Sequence, residues 1–364
     1  MPTVTAIEAT VYEIPTDAPE GDGTFAWDST TMTVVRVTGG GETGIGWTYG
    51  APECGRVVRS TLAPLVIGRD VIDIAGAWEA MVRAVRNSGR QGAIGYAISA
   101  VDTALWDLKA RVLGIPLRSL LGSVRDDVPV YASGGFTTYS ERQLDDQLAS
   151  WLRDGSRRVK IKIGESWGTR TDRDLERMRQ TRRVIGDGVE LFVDANGGYT
   201  AKQAIRLMDA ASDLDVRWFE EPVSSDNLAG LAEVRAAVSA EVTAGEYGFD
   251  LYTLRRLCDS GAVDCLQADV TRCGGITEWL RVAAVAASFG LDLSGHCAPN
   301  LHAHVAASIP NLRHLEWFHD HDRIERMLFD GALTPRDGVV RLAGDAPGTG
   351  LTFREADAER YRVG

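Results

Sequence analysis

The chain has 364 residues, a formal net charge of −12 and 44% hydrophobic residues, a length that suits a barrel of roughly 250 residues joined to a smaller domain. Its acidity argues against a nucleic-acid surface, which needs clustered Lys and Arg. No apolar run reaches the ~18 residues of a membrane span, and Met1-Pro2-Thr3-Val4 carries no export signal, so a cytoplasmic location is expected. Cys54, Cys258, Cys265, Cys273 and Cys297 are scattered and form no C-x-x-C pair, which predicts reduced core thiols rather than bridges or a zinc site.

Residues 3–14 and 31–38 are β-branched runs, and Gly39-Gly40-Gly41 joins the second to Gly44-Ile45-Gly46-Trp47, so an antiparallel meander is predicted. The three glycines lack the strand-glycine-helix context of a dinucleotide fingerprint. Between the first two strands, residues 17–29 are rich in Pro, Gly and Asp yet carry Phe25 and Trp27, the pattern of a polar loop that either acts as a lid or packs on its own domain. Residues 75–113 read as helical, with Ile98, Val101, Leu105, Leu108 and Val112 three or four apart. Strands are then predicted at 128–132, 158–163, 190–194, 216–220, 241–245, 263–268, 291–295 and 313–317, alternating with helices. Ser140 with Gln143 and Thr200 with Gln203 are capping boxes, and Gly155 and Gly186 mark helix ends. Eight such positions suffice to close a barrel. The charged run 170–183 reads as a solvated outer helix, and the tail after 325 is expected to return to the N-terminal domain.

Three carboxylates recur at strand ends 26 residues apart, at Asp194, at Glu220-Glu221 and at Glu246. Active-site groups of a parallel barrel gather at those ends, and three acids aimed at one point repel unless a cation lies between them. Oxygen-only ligation favours Mg2+ over zinc. Upstream, Val159-Lys160-Ile161-Lys162-Ile163 puts two lysines on one face of a strand. Burial and mutual repulsion are expected to push one of them toward its neutral, basic form. Downstream, Asp269 and His296 end adjacent strands, so the carboxylate can fix the imidazole tautomer and make His296 a general acid or base. Glu316 ends the last strand, and a crowded acidic site is expected to keep it protonated as a hydrogen-bond donor to an oxyanion. A metal that holds a substrate carboxylate at two points eases removal of the α-proton, with Lys162 and His296 serving opposite faces of the α-carbon.

At these residues the chain resembles the enolase superfamily and, within it, the mandelate racemase subgroup. The segment from Ala97 to Gly122, AISAVDTALWDLKARVLGIPLRSLLG, carries that signature throughout. The resemblance implies an α/β fold, a modified TIM barrel (β/α)7β at 126–325, with an α+β N-terminal capping domain at 1–125 and a segment 326–364 returning to it. It implies Mg2+ ligands Asp194, Glu220 and Glu246, the first of the two adjacent glutamates being chosen by resemblance alone. It further implies a His296–Asp269 dyad, Lys162 as catalytic lysine, Lys160 facing the substrate carboxylate, Glu316 as the electrophilic acid and Asn196 as a polar substrate contact. Phe25 and Trp27, with Trp47 and Tyr49, fall where the subgroup selects substrates.

The expected activity is therefore Mg2+-dependent dehydration of a sugar acid, an aldonate or aldarate. The alternatives are racemisation or epimerisation, cycloisomerisation through the same intermediate, and a barrel that has lost turnover. The expected partner is a small-molecule carboxylate, and the subgroup implies a homo-oligomer, an octamer or dimer. A second metal at His302, His304 or His319-Asp320-His321-Asp322 is not expected, because His302 and His304 diverge on a helix and the later cluster reads as a polar loop.

Overall fold

The computed structural model describes residues 2–363. Its N-terminal layer is an antiparallel sheet of β1 (Val4–Gly21), β2 (Ala26–Gly39) and β3 (Glu42–Tyr49), with the terminal strand Arg362–Val363 beside β1. Between β2 and β3 the chain reverses at Gly40 and Gly41, whose φ of 63° and 83° a side chain rarely tolerates.

Residues 17–29 are not the loop expected from their composition. They lengthen β1 and β2 into a projecting hairpin, whose pairing resumes at Glu20–Trp27 and Gly21–Ala26 after an irregular stretch following Pro15. Pro15 and Pro19 are tolerated because, among the described residues, the strand Arg362–Val363 pairs with β1 only at Val11 and Tyr12, leaving this part of β1 as an edge. The turn itself is short. Asp22 accepts hydrogen bonds from the N–H groups of Thr24 and Phe25 at 2.6 and 2.8 Å and closes it.

The helical stretch expected over 75–113 is two helices, Ile74–Ala84 and Ala93–Val112, because the chain turns between them at Gly89 and Gly92 with φ of 78° and 62°. The second helix lies directly on β3. A Cβ at Gly44 or Gly46 would overlap the carbonyl oxygen of Ala104 or Ala100, so the two backbones touch with room only for hydrogen.

The second layer is a closed barrel of eight parallel strands, β4 (Asp127–Gly134), β5 (Arg158–Lys162), β6 (Glu190–Asp194), β7 (Val216–Glu220), β8 (Glu241–Ala244), β9 (Cys265–Ala268), β10 (Asp292–Gly295) and β11 (Leu312–Phe318). Pairing of β11 with β4 completes the circle. Each strand begins and ends within two residues of the sequence expectation. Both capping boxes form, with Ser140 and Thr200 each exchanging hydrogen bonds with the glutamine three residues on. Among the described residues, no helix is long and apolar enough to cross a membrane.

Residues 319–322 are also not a polar loop. They open the helix His319–Leu328, whose charged face meets the capping sheet. Thr30 donates to Asp320 at 2.5 Å, the Tyr49 ring stacks on His321 at 3.5 Å, and Trp47 Nε1 and Tyr49 OH both donate to Glu325 Oε1 at 3.1 Å. Trp47 and Tyr49, expected among the residues that select substrates, are buried and tie the two layers together instead. A second tie joins the helix Ala93–Val112 to the helix Gly275–Ser288. Asp102 accepts from Thr277 N at 2.9 Å and Thr277 Oγ1 at 2.6 Å, a carboxylate placed at the positive end of the second helix.

The contact between β3 and the helix generates a prediction. Gly46→Ala forces a methyl group into the Ala100 carbonyl and is expected to cost about 1–3 kcal/mol. A thermal melt of that variant indistinguishable from the parent's would show that the two backbones can separate freely.

Candidate active site

All eight strands deliver their C-terminal ends to the face covered by the hairpin. Gly23 at the hairpin tip accepts from Trp167 N at 2.8 Å, and a Cβ there would lie 2.6 Å from the Ile163 carbonyl and 2.8 Å from that of Ala195. The tip therefore rests against the ends of β5 and β6. A cleft at the opposite end of the barrel carries charges that pair among themselves, Arg158 with Glu190 and Arg313 with Glu241, and gathers no comparable cluster among the described residues.

Strand alternation on β5 turns Lys160 and Lys162 into the barrel, where both are buried. Lys160 Nζ lies 2.7 Å from Glu220, 2.8 Å from Glu316 and 3.4 Å from Asp194, and Lys162 Nζ lies 2.5 Å from Asp194. The expected neutral lysine is not found among these side chains. Burial opposes the charge on Lys160, but Glu220 and Glu316 outweigh it and hold the ammonium well above its ordinary pKa. For Lys162, burial and the Lys160 charge are outweighed in the same way by Asp194. Repulsion between the lysines is real, yet each has a carboxylate closer to hand.

Asp194, Glu220 and Glu246 each offer an oxygen, all within 4.8 Å of one another. Glu246 owes its position to Gly245, whose φ is 146° and where a Cβ would overlap the Gln267 carbonyl, leaving no space for a side chain. Glu220 turns inward and accepts from Trp218 Nε1 at 3.1 Å through Oε2, while its buried Oε1 has no hydrogen-bond partner. Three buried, hard oxygen donors, with Glu220 Oε1 and Glu246 Oε2 both without a hydrogen-bond partner among the described residues, are the chemistry that suits Mg2+. Burial pushes Glu220 up to about 7 against the pull of Lys160. Glu246 is driven the other way, because His296 and Arg272 override its burial and hold it well below the usual range. Glu221 also faces this cluster, at φ 39°, and its burial beside Glu246 and Asp194 raises its pKa well above normal.

Across the cavity, His296 Nδ1 lies 2.8 Å from Asp269 Oδ2, and the N–H and hydroxyl of Thr271 both donate to Asp269 Oδ1 at 2.7 Å. Nε2 of His296 faces Glu246 Oε2 at 3.3 Å. Burial opposes a charge on His296, but Cys297, Glu246, Glu316 and the bond to Asp269 prevail and raise its pKa well above 6.5. Glu316 is not the neutral acid expected. Ser133 Oγ donates to its Oε1 at 2.6 Å, Cys297 N to its Oε2 at 3.1 Å, and Lys160 pairs with it, so despite burial its pKa is lowered and it is ionised.

The structure thus gathers Lys160, Lys162, Asp194, Glu220, Glu246, Asp269, His296 and Glu316 around one cavity. Asn196 stands at its edge at φ 45°, its N–H donating to Asp194 Oδ1 at 2.9 Å. The hairpin aromatics lie at the rim, where Trp27 packs against the cluster of Phe136, Tyr139, Cys297 and Phe318. Trp27 donates Nε1 to Glu20 at 3.0 Å and meets Phe136 edge-on, while Phe25 stacks on Trp27 and is 67% exposed.

Sequence reading misses Arg272, which reaches Glu246 Oε1 at 3.2 Å and Asp269 Oδ2 at 3.5 Å and so braces two strand ends at once. Its place three residues after Asp269 is a usable signal. Cys297 gains no role from the sequence, yet its thiol touches both His296 and Glu316. His302 and His304 do diverge: His302 Nε2 accepts from Val270 N at 2.9 Å, whereas His304 is buried without that contact.

Residues 6–122 match the family model described as the mandelate racemase / muconate lactonizing enzyme N-terminal domain, and residues 143–357 match the enolase C-terminal domain-like model. The 3,6-anhydro-alpha-L-galactonate cycloisomerase of Streptomyces coelicolor is 32% identical over 98% of this chain and 99% of its own length. The L-talarate/galactarate dehydratase of Salmonella typhimurium is 31% identical over 86% of this chain and 77% of its own. A structure of that dehydratase with Mg and L-lyxarohydroxamate superposes with a TM-score of 0.91 at 28% identity, covering 100% of this chain and 93% of the other. A mandelate racemase/muconate lactonizing enzyme-like protein from Rubrobacter xylanophilus superposes with a TM-score of 0.96 at 47% identity, covering 99% of this chain and 100% of the other. Both halves of the fold and the relatives along its length agree: the chain belongs to the mandelate racemase/muconate lactonizing enzyme family of the enolase superfamily.

Proposed function

We propose that this protein is a Mg2+-dependent lyase that removes the α-proton of a sugar-acid carboxylate and expels its β-hydroxyl, giving a 2-keto-3-deoxy acid. The observation that carries this reading is that Lys162 and the Asp269–His296 pair flank one three-carboxylate cluster from both sides. Asp194, Glu220 and Glu246 would hold Mg2+, which would supply positive charge to stabilise a substrate carboxylate whose α-proton is removed. Lys162 is the base. With a cation bound, Asp194 would no longer compensate the Lys162 ammonium, and repulsion from Lys160 would favour the neutral amine. Lys160 faces the substrate carboxylate, and Glu316, paired with it at 2.8 Å, holds that ammonium in position. Asp269 fixes the proton of His296 on Nδ1 when the ring is neutral and stabilises it when charged, so Nε2 delivers the proton to the departing oxygen. Asn196 contacts the substrate's hydroxyl chain, and Trp27 and Phe25 bound the cavity from the hairpin.

A second reading is supported by the cycloisomerase relative, which is similar over 98% of this chain. A 3,6-anhydro acid carries its ether oxygen on the β-carbon. The same proton removal and the same departure of the β-oxygen then open a ring without releasing water. The two readings differ in whether the leaving oxygen stays tethered, and in nothing the catalytic side chains do.

Incubation with Mg2+ and a panel of aldonates, aldarates and 3,6-anhydro acids in D2O separates them. Dehydration gives a 2-keto acid that has lost the elements of water, ring opening gives an isomer of the same composition apart from the solvent deuterium taken up at the β-carbon, and racemisation gives deuterium exchange without a new compound. None of these with any member of the panel would sink the proposed chemistry. Lys162→Ala is expected to lower kcat by about 10²–10⁴-fold and to abolish α-proton exchange. His296→Asn, by contrast, retains exchange and loses elimination, and loss of both together would contradict its assignment as the acid.

Metal dependence is tested independently. Chelation is expected to abolish turnover and Mg2+ to restore it, and Glu220→Gln to raise the Mg2+ concentration needed by more than ~10-fold. A Mg2+ titration followed by thermal shift reads the same change without turnover, and an unaltered midpoint in that variant would remove Glu220 from the ligand set.

A further inference from the structure

We propose that His296, Cys297 and Glu316 form a second, softer metal site beside the three-carboxylate cluster, one that takes a thiophilic divalent ion such as Zn2+ and blocks the cavity when filled. The three ligand atoms stand within a few tenths of an ångström of the spacing a tetrahedral ion needs. Cys297 Sγ lies 3.3 Å from His296 Nε2 and 3.3 Å from Glu316 Oε2, and Nε2 lies 3.7 Å from Oε2. Bond lengths of ~2.3 Å to sulfur and ~2.0 Å to nitrogen or oxygen place the ligands of a tetrahedral zinc roughly 3.3–3.6 Å apart. All three residues are buried, at 4%, 4% and 1% exposure.

The backbone makes this arrangement possible. Cys297 and Ala298 take φ of 52° and 39°, and this left-handed turn after β10 folds the thiol back against the preceding imidazole. Otherwise the side chain of the residue after His296 would point away from it. Other groups hold the opposite atom of the imidazole and of the carboxylate, while Nε2 also faces Glu246 Oε2 at 3.3 Å and Glu316 Oε2 accepts from Cys297 N at 3.1 Å. Asp269 occupies His296 Nδ1 at 2.8 Å, the carboxylate–histidine–metal pattern that directs the Nε2 lone pair to an ion. Ser133 and Lys160 engage Glu316 Oε1 and leave Oε2 turned to the thiol.

Sulfur and imidazole select a different ion from the neighbouring cluster, which offers oxygen alone. The two sites therefore discriminate by ligand softness. On binding, the thiol proton and the Nε2 proton of the charged His296 both pass to solvent. An ion held at this site withdraws Nε2 of His296 from proton transfer, a consequence that rests on the reaction proposed above. Binding itself does not rest on it.

The test uses Co2+ as a spectroscopic stand-in for Zn2+, added to the full-length protein saturated with Mg2+. The expected result is a near-ultraviolet thiolate-to-cobalt charge-transfer band at one ion per chain, displaced by Zn2+ and not by further Mg2+. Among the described residues, the other four cysteines belong to no group of three candidate ligands, so the band reports Cys297. In Cys297→Ser and Cys297→Ala the band is expected to vanish, and inhibition by Zn2+ to require at least ~10-fold more ion. A wild-type protein without the band, a band unchanged in both variants, or a band removed by Mg2+ would each overturn the proposal. Should the variants fail to fold, the wild-type band and its displacement by Zn2+ against Mg2+ decide alone. Because the band is read without turnover, its absence and a failure of the proposed reaction are separate results.

Discussion

The interaction on which the molecule turns is the crowding of like charges at the barrel mouth. Six buried carboxylates, Asp194, Glu220, Glu221, Glu246, Asp269 and Glu316, face two lysines, Arg272 and His296 within one water-poor space. Removing so many ions from water is costly unless each is paired, and the side chains present do not compensate one another fully: Glu220 and Glu221 both have pKa values pushed upward. A dication is the simplest remedy. The same excess of carboxylates explains why the lysines stay protonated among these side chains, since every available cation is recruited as a counter-ion. The balance of charge, and not the identity of any single base, sets what the cavity can do.

That balance requires strand ends held to within fractions of an ångström, and the capping layer contributes to it. Asp102 on the helix Ala93–Val112 grips Thr277, Thr48 donates to the Thr271 carbonyl at 2.8 Å, and Trp78 donates to that of Gly274 at 2.8 Å. These contacts converge on the segment that follows β9 and carries Asp269 and Arg272. The N-terminal layer is thus more than a lid. It fixes the loop on which the histidine's partner is mounted, while its hairpin shapes the rim.

Much of this is legible in the sequence because barrel geometry converts linear spacing into proximity. The 26-residue recurrence of acids, the K-x-K pair and the strand-end aspartate and histidine all depend only on alternation along a strand and on parallel strands ending together. What alternation cannot report is who neutralises whom. The protonation of Lys162 and Glu316 differs from expectation because burial and like-charge repulsion are visible in a sequence, whereas the Asp194 oxygen at 2.5 Å and the Ser133 hydroxyl at 2.6 Å are not. Composition misleads in the same way at residues 17–29 and 319–322. Prolines and aspartates read as loop, yet an unpaired sheet edge accommodates the first segment and contacts with Thr30 and Tyr49 order the second. Cys297 is silent in the sequence because pairing rules look for a second cysteine, and its significance comes from a left-handed backbone turn.

The strand Arg362–Val363, paired with Val11 and Tyr12, bears on how the molecule comes into being. The first three strands of the sheet and this last neighbour are separated along the chain by the entire barrel. Contacts of such long sequence separation close slowly. The N-terminal layer is therefore finished only after the barrel between its strands has been made, and its assembly is coupled to that of the layer beneath it.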